Sequence, residues 1–277
     1  MDPHEYCRQK VAKAGSAFYY SVRTLPPARQ RAAIALEAFR REVTAVANEV
    51  RDPGVARTKL AYWHEELGRL YAGKPLHPVT RALAEAVVTY GIDRGALDEV
   101  IQGAGMDLEY NAYPDFDALQ VYCRRVRGAP QQVLSHIFGF EDPKTLEHAE
   151  QLGIALELTR IVRDVGEDAR RGRVYLPLHD MARHGVTSDD LAHARETDAF
   201  KSLIDAEIAR ADALYDRAMA LLPPADRKSQ RPGLVMAAID RALLREIEAD
   251  GCRVLIHRIS LTPVRKLWIA WKTWLKG

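Results

Sequence analysis

The sequence predicts an all-α protein that folds as a single multi-helix bundle. Long stretches rich in Ala, Leu, Glu and Arg place apolar residues three to four positions apart, and alternating Val, Ile and Thr runs are few. With 277 residues, 47% of them hydrophobic, the chain can bury one large core, and it contains no internal repeat, linker or low-complexity tract. We therefore expect one domain over residues 1–277.

Proline and glycine breaks in the apolar spacing delimit the predicted helices. The predicted helices are 3–22, 27–50, 54–72, 76–90, 93–110, 115–138, 143–170, 188–195, 197–222, 232–257 and 262–275. The breaks between them are Pro26-Pro27, Asp52-Pro53-Gly54, Gly73-Lys74-Pro75, Tyr113-Pro114, Asp142-Pro143, Leu176-Pro177, Pro223-Pro224 and Arg231-Pro232-Gly233. In such a bundle the chemistry is expected in a cavity between facing helices.

Composition excludes several classes of function. The formal charge is +2, from 40 Lys and Arg against 38 Asp and Glu, so the chain has no overall field that would attract nucleic acid. Three widely spaced cysteines form neither a disulfide framework nor a metal-binding spacing, which favours a reducing compartment. No stretch approaches the ~20 apolar residues of a membrane span, and the first residues contain no signal-peptide core. We expect a cytoplasmic protein, unless its C-terminal end touches the inner membrane.

The most informative segment is an acidic motif on the predicted helix 143–170. Asp164, Glu167 and Asp168 occupy positions i, i+3 and i+4 and therefore share one helix face. Carboxylates at this spacing suit magnesium, which bridges to substrate phosphates. Arginines surround the motif at 160, 163, 170, 171 and 173. The pattern indicates a diphosphate site, and the alternative is a solvated charged face with local ion pairs.

Motifs along the whole chain resemble the squalene/phytoene synthase family of isoprenyl diphosphate synthases, and within it the bacterial presqualene diphosphate synthases of hopanoid biosynthesis. The matching motifs are Phe18-Tyr19-Tyr20-Ser21, Leu25-Pro26-Pro27, Arg41-Glu42-Val43, Asp52-Pro53-Gly54-Val55-Ala56, His77 to Leu83, Met106-Asp107-Leu108, Tyr122-Cys123, Asp164 to Asp168, and Thr262-Pro263 through Trp271-Lys272. The resemblance implies the isoprenoid synthase fold, with a central cavity between two opposed acid-bearing helices.

The resemblance also implies a reaction, the head-to-head condensation of two farnesyl diphosphates to presqualene diphosphate or squalene. Magnesium would be the cofactor, held by Asp164, Glu167 and Asp168, with a reductant such as NADPH only if squalene is the product. Tyr122 and Arg163 are the implied catalytic residues. The residues expected to bind the substrate diphosphate are Ser21, Arg41, Arg160 and Arg163. The expected partner is this small-molecule substrate, and no obligate protein partner is evident.

The chain departs from the family where a second acidic cluster is expected. The segment after Arg41-Glu42-Val43 has Thr44, Ala45 and Asn48 at the positions of the family's first aspartate motif, and only Glu49 is acidic beside them. Thr and Asn do not supply the negative charge that makes a magnesium site strong. We expect one wall of the site to be unable to hold the metal.

Further departures are expected on the same inner surface. Arg160 replaces an Asn that supports the metal, and its guanidinium would repel magnesium and could itself hold a pair of diphosphate oxygens. Asp240 replaces a cavity Tyr. Other polar replacements are expected at Val22-Arg23-Thr24, Arg124, Arg127 and 129–132. These changes predict a smaller, wetter and more cationic pocket, in which a C15 chain binds less well.

Two alternatives to an active synthase therefore stay open. One is a repurposed relative that keeps the scaffold and acts as a binding or assembly protein, or on a smaller polar substrate. The other is a deliberately altered synthase. The missing first motif favours the former, whereas the preserved acidic motif favours a transferase.

The C-terminal segment combines Trp268, Trp271 and Trp274 with four basic residues. At about 100° per residue, a helix would place the three tryptophans within an arc of about 120°. The pattern predicts either contact with an anionic membrane surface or a last helix packed on the bundle with its lysines extended to solvent.

Overall fold

A computed structural model describes residues 1–12, 15–50 and 52–276, with the side chains of Asn48, Glu49 and Lys276 outside the described set. The described residues form fourteen α-helices: α1 (Pro3–Val11), α2 (Ala17–Val22), α3 (Pro27–Glu49), α4 (Pro53–Tyr71), α5 (Pro78–Tyr90), α6 (Arg94–Glu109), α7 (Phe116–Cys123), α8 (Ala129–Phe138), α9 (Lys144–Arg170), α10 (Leu178–His184), α11 (Ser188–Ala192), α12 (Asp198–Leu221), α13 (Arg231–Ala249) and α14 (Pro263–Lys276). Strands are absent from these residues, apart from one isolated bridge between Ala112 and Val174. The all-α prediction is confirmed.

Side-chain caps explain why several helices begin where they do. Asp52 accepts a hydrogen bond from the backbone N–H of Val55 at 2.9 Å, and Asp115 accepts one from Ala118 at the same distance. Each cap satisfies one of the N–H groups that a helix start leaves without a partner. Pro27 and Pro53 lie at first helical positions, where the missing N–H costs nothing.

Some predicted boundaries were wrong. The helix predicted at 3–22 is two helices, because Ser16 caps α2 by accepting from Tyr19, with Gly15 at a φ of 90° before it. The predicted helix 115–138 contains a π-helical turn at Arg124–Gly128. The helix predicted to reach 257 ends at Ala249, where Gly251 and Cys252 adopt positive φ. The prediction also missed α10 and a short 3₁₀ turn at Pro224–Asp226.

Two long helices, α3 and α9, organise the bundle. The α3 helix packs against α1, α5, α6 and α8, and α9 packs against α8, α12, α13 and the π-helical turn. The close approach of α9 to the π-helical turn depends on Gly153, because a methyl group there would lie 2.5 Å from the carbonyl oxygen of Arg127 and 2.6 Å from Cα of Gly128. The π-helical turn therefore lies directly against α9, which brings Arg127 to the cavity described next.

Candidate functional site

A cavity of about 410 Å³ lies between α3 and α9. The rest of its wall comes from α2, the π-helical turn, α13, the segment before α14 and the first turn of α14. Its charged lining side chains are Glu37, Arg40, Arg41, Arg127, Glu157, Arg160, Arg163, Asp240, Arg258 and Lys266. Seven of these are cationic and three are anionic. Apolar side chains in the lining are Phe18, Leu156, Ile239, Leu243 and Leu261. We call this space the arginine-lined cavity.

One buried carboxylate holds three of the arginines. Glu37, which is 4% exposed, accepts two hydrogen bonds from Arg40 at 2.9 Å, one from Nε of Arg41 at 2.7 Å and one from Nη1 of Arg127 at 3.2 Å. Burial alone would raise the pKa of Glu37, but the three guanidinium groups hold it well below its usual range. The one carboxylate thus holds three guanidinium groups in place, and the net positive charge of this cluster faces the cavity.

Arg160 forms a second cluster on α9. Its Nε donates to Oε1 of Glu157 at 2.5 Å and its Nη1 to Oδ2 of Asp168 at 3.1 Å, while the guanidinium lies over the Tyr175 ring, 4.9 Å from its centroid. Within the described part of the chain, Nη2 of Arg160 is buried and has no hydrogen-bond partner. A buried donor of this kind is costly to leave unpaired, so it favours a ligand acceptor.

The remaining two acids of the motif are also paired with arginines. Oδ1 of Asp164 accepts from Nε of Arg163 and from Nε of Arg258, each at 2.7 Å, and Oδ2 contacts Nη2 of Arg163. Burial opposes ionisation of Asp164, yet these arginines lower its pKa to about 2. Glu167 accepts from Arg171 at 2.7 Å and lies 3.8 Å from Arg258. The pKa of Asp168, by contrast, is raised above its usual value, because burial raises it more than Arg160 lowers it.

This arrangement does not fit a magnesium ion. Each of the three acids is paired with a guanidinium group, whose positive charge occupies the place a metal ion would need beside that carboxylate. On the facing helix, Thr44 donates its hydroxyl to the carbonyl of Arg40 at 2.9 Å, and Ala45 has no ligand atom in its side chain. Among the described residues, no group of three or more His, Cys, Asp or Glu side chains is placed to hold a metal. The expected wall residues Asn48 and Glu49 have side chains outside the described set.

The structure brings together some of the predicted site residues and separates others. Arg41, Arg160 and Arg163 all line the cavity. Ser21 does not, because it is buried in α2 and donates its hydroxyl to the carbonyl of Phe18 at 2.8 Å. Tyr122 also lies outside the lining, with its hydroxyl donated to Asp107 at 3.1 Å. Burial, together with Asp107, raises the pKa of Tyr122 well above its usual value.

Of the polar replacements that the sequence predicted for the cavity wall, some line the cavity and others do not. Arg127, Arg160 and Asp240 line the cavity, as the sequence predicted. The others lie elsewhere: Val22 is buried in the core, Arg124 pairs with Glu99, and Gln132 donates to the carbonyl of Leu146. The lining of the cavity is therefore mostly cationic, whereas fewer of the predicted polar replacements reach it than the sequence suggested.

Several cavity residues were missed by sequence reasoning. Glu37 with Arg40 and Glu157 with Arg160 have the i, i+3 spacing of helix ion pairs, a signal that was available. Arg258 and Lys266 come from the C-terminal segment, and no local pattern connects them to α9. Lys266 reaches across to donate to the carbonyl of Gly15 at 3.1 Å.

Comparisons with known proteins agree with this architecture. The family model described as "Squalene/phytoene synthase" matches residues 11–265. A phytoene synthase of Arthrospira platensis is 31% identical over 96% of this chain and 90% of its own length, and a 15-cis-phytoene synthase of Synechocystis sp. is 30% identical over 100% of this chain and 86% of its own. The crystal structure of squalene synthase HpnC from Alicyclobacillus acidocaldarius superimposes with a TM-score of 0.78 and 26% identity, covering 90% of this chain and 94% of that one. A dehydrosqualene synthase crystallised with ligand shares the fold, with a TM-score of 0.87 and 24% identity over 99% of this chain and 96% of that one.

Proposed function

This chain belongs to the squalene/phytoene synthase family, and from that premise we propose that it binds a prenyl diphosphate whose diphosphate group is held directly by the arginines of the cavity. Farnesyl diphosphate is the representative ligand. The observation that carries the proposal is the excess of cationic over anionic side chains around one cavity, together with the unpartnered Nη2 of Arg160.

Guanidinium groups suit this ligand for electrostatic and geometric reasons. Each presents parallel N–H donors that match pairs of phosphate oxygens, and Arg stays charged at any relevant pH. Glu37 and Glu157 already fix the orientation of several of them, so few side chains need to be ordered when the ligand binds. The neighbouring apolar side chains, Phe18, Leu156 and Leu243 among them, would contact the first isoprene units.

The same groups determine what the cavity does to a bound substrate. Breaking the allylic C–O bond leaves the bonding electron pair, and a new negative charge, on the diphosphate. Fixed positive charges at that position lower the barrier to this step. In this cavity three carboxylates cancel part of the positive charge. The α3 helix has no acid at positions 44 and 45, and neither position lines the cavity. We therefore propose that the chain binds its substrate well and ionises it slowly, as a repurposed or catalytically impaired member would.

A second candidate function is the full head-to-head condensation of two farnesyl diphosphates to presqualene diphosphate or squalene. The observation that favours it is that Asp164, Glu167 and Asp168 remain together at one end of α9, although each is paired with an arginine. This candidate requires those side chains to leave their arginines and hold magnesium, and a reductant such as NADPH if squalene is formed.

Calorimetry with a non-hydrolysable farnesyl thiodiphosphate, in EDTA and in magnesium, separates the two candidates. Direct recognition by arginine predicts binding in EDTA, and Arg160→Gln is expected to weaken it about tenfold, the effect of losing one charge-assisted hydrogen bond. The matched control is Arg171→Gln, directly after the last residue of the same helix, where the arginine pairs with half-exposed Glu167 outside the cavity lining. Binding that requires magnesium and is unchanged by Arg160→Gln would support the second candidate instead.

A separate measurement tests condensation itself. Mass analysis of the lipid extract after incubation with farnesyl diphosphate would detect the product of the second candidate.

Asp240 gives the binding a pH dependence. Burial raises its pKa to about 6, with Arg163, Arg127 and Lys266 opposing the shift. Above pH 6 the carboxylate is ionised and repels the diphosphate, and below pH 6 it is neutral, so protonation of Asp240 strengthens binding. We expect Asp240→Asn to bind the thiodiphosphate about tenfold more tightly than the unmodified chain at pH 7.5, from one unit charge removed nearby. The advantage should vanish at pH 5, and an advantage equal at both pH values would contradict this role. Comparing the two proteins cancels protonation of the ligand itself.

A further inference from the structure

The last helix, α14, carries an apolar face that the bundle does not cover. Its inner positions, such as Ala270 and Thr273, pack towards α13 and α2. The exposed apolar side chains are Val264, Leu267, Trp268, Trp271, Trp274 and Leu275. At about 100° per residue these six fall within an arc of about 120°, so they form one continuous stripe along the outside of the helix. An exposed stripe of this size on a folded chain indicates an interaction surface.

The charged residues of α14 itself are all basic, and one of them, Arg265, is paired with Glu246 of α13. The α14 sequence contains Arg265, Lys266, Lys272 and Lys276 and no acidic residue. Lys272 is exposed beside the stripe. At the other edge Arg231 lies over the Trp274 ring, 5.1 Å from its centroid. Lys228 lines a surface pocket beside Trp274, which also includes Glu141 and the buried Asp226. Nε of Arg231 is buried without a hydrogen-bond partner in the part of the chain that the structure describes.

We propose that α14 binds the surface of an anionic phospholipid bilayer. The tryptophans would lie at the level of the head groups, where an aromatic ring with a polar N–H is favoured, and the flanking cations would contact lipid phosphates. The chain would rest on the bilayer, since no helix among those described has the length and apolar character to cross one. Charge complementarity selects this occupant over a second copy of the chain, whose identical basic stripe would repel it.

The position of α14 connects this surface with the arginine-lined cavity. Lys266, on the inner side of the helix, lines that cavity together with Ser260 and Leu261 from the preceding segment. A bilayer under the outer stripe would therefore lie beside the cavity, within reach of a prenyl chain entering or leaving it. This consequence depends on the proposed function, whereas binding to the bilayer does not.

Vesicle flotation tests the proposal, with vesicles of pure phosphatidylcholine and of equal parts phosphatidylcholine and phosphatidylglycerol. The unmodified chain is expected to float with the anionic vesicles and to be released by high salt. Three of the four tryptophans lie on α14, and the fourth, Trp63, is buried, so membrane contact should also shift tryptophan fluorescence to shorter wavelength. The variant Trp268→Ser/Trp271→Ser is expected to bind the anionic vesicles at least about tenfold more weakly. Its matched control is Leu76→Ser/Val88→Ser, which removes two exposed apolar side chains elsewhere on the surface.

A second arm, Lys272→Glu, keeps the tryptophans and reverses one charge, and it should weaken binding several-fold on anionic vesicles alone. The proposal is overturned if the unmodified chain fails to bind anionic vesicles, or if the tryptophan variant binds them as well as the control. It is also overturned if the chain sediments as a dimer that the tryptophan variant disperses, because the stripe is then a contact between copies. Farnesyl thiodiphosphate binding by the same proteins in solution stays independent of all three outcomes.

Discussion

A variant that carries Thr44→Asp, Ala45→Asp, Asn48→Asp and Arg160→Asn is expected to release diphosphate from farnesyl diphosphate at least a hundredfold faster than the unmodified chain, in buffer containing magnesium. The aspartates add negative charge to α3, the helix that lies across the cavity from α9. Removing Arg160 frees the carboxylates of Glu157 and Asp168. Losing one preorganised charge-stabilising element typically costs about 10²–10³ in rate, so restoring several supports a gain of this size.

The measurement is diphosphate release under single-turnover conditions, with circular dichroism confirming the fold. Two partial variants show which change matters: the three aspartates alone, and Arg160→Asn alone. The aspartates alone should give a smaller gain, because the guanidinium of Arg160 still repels the metal. Efficient condensation by the unmodified chain would contradict the argument and would mean that the arginines stabilise the leaving group by themselves.

The second large effect is on stability. Glu37→Gln is expected to lower the free energy of unfolding by about 3–5 kcal/mol, because it leaves Arg40, Arg41 and Arg127 without the buried charge that compensates them. Urea denaturation followed by circular dichroism measures the change. The control is Glu65→Gln, a carboxylate on α4 that is 70% exposed and pairs with Arg69 at 3.4 Å, for which a change within about 0.5 kcal/mol is expected.

The same variant connects stability with binding. Without Glu37 the cavity has one more uncompensated positive charge, so inorganic diphosphate should stabilise Glu37→Gln more than the unmodified chain. A loss of stability that diphosphate does not offset would indicate that Glu37 supports packing alone and that the arginines do not face the anion.

The helical content and the order of the long helices could be predicted because their causes are local. Apolar residues three to four apart, caps such as Asp52 and prolines at first turns act within a few residues of chain. The errors fell where local signals are weak or conflict. The helix predicted at 3–22 has helical composition on both sides of Gly15, and the chain beyond Ala249 turns because Gly251 and Cys252 adopt positive φ.

In the acidic motif, too, local spacing could be predicted from the sequence, whereas contacts with distant segments could not. The i, i+3, i+4 spacing correctly placed Asp164, Glu167 and Asp168 together on α9, and the resemblance to the family placed α9 beside the cavity. What the carboxylates contact was decided elsewhere in the chain. Arg258 reaches Asp164 from 94 residues away, and Arg127 reaches Glu37 from 90. An ion pair between distant segments leaves no periodic trace in the sequence.

The sequence by itself therefore determined the helical bundle, the family and the residues that could carry charge at the site. Only the tertiary structure decided how those charges combine. Because the interaction of buried charges depends on distances of a few ångströms, the packing of α3, α9 and the C-terminal segment determines which acid neutralises which arginine. That packing leaves the cavity cationic, pairs the expected metal ligands with guanidinium groups, and places Ser21 and Tyr122 outside the lining.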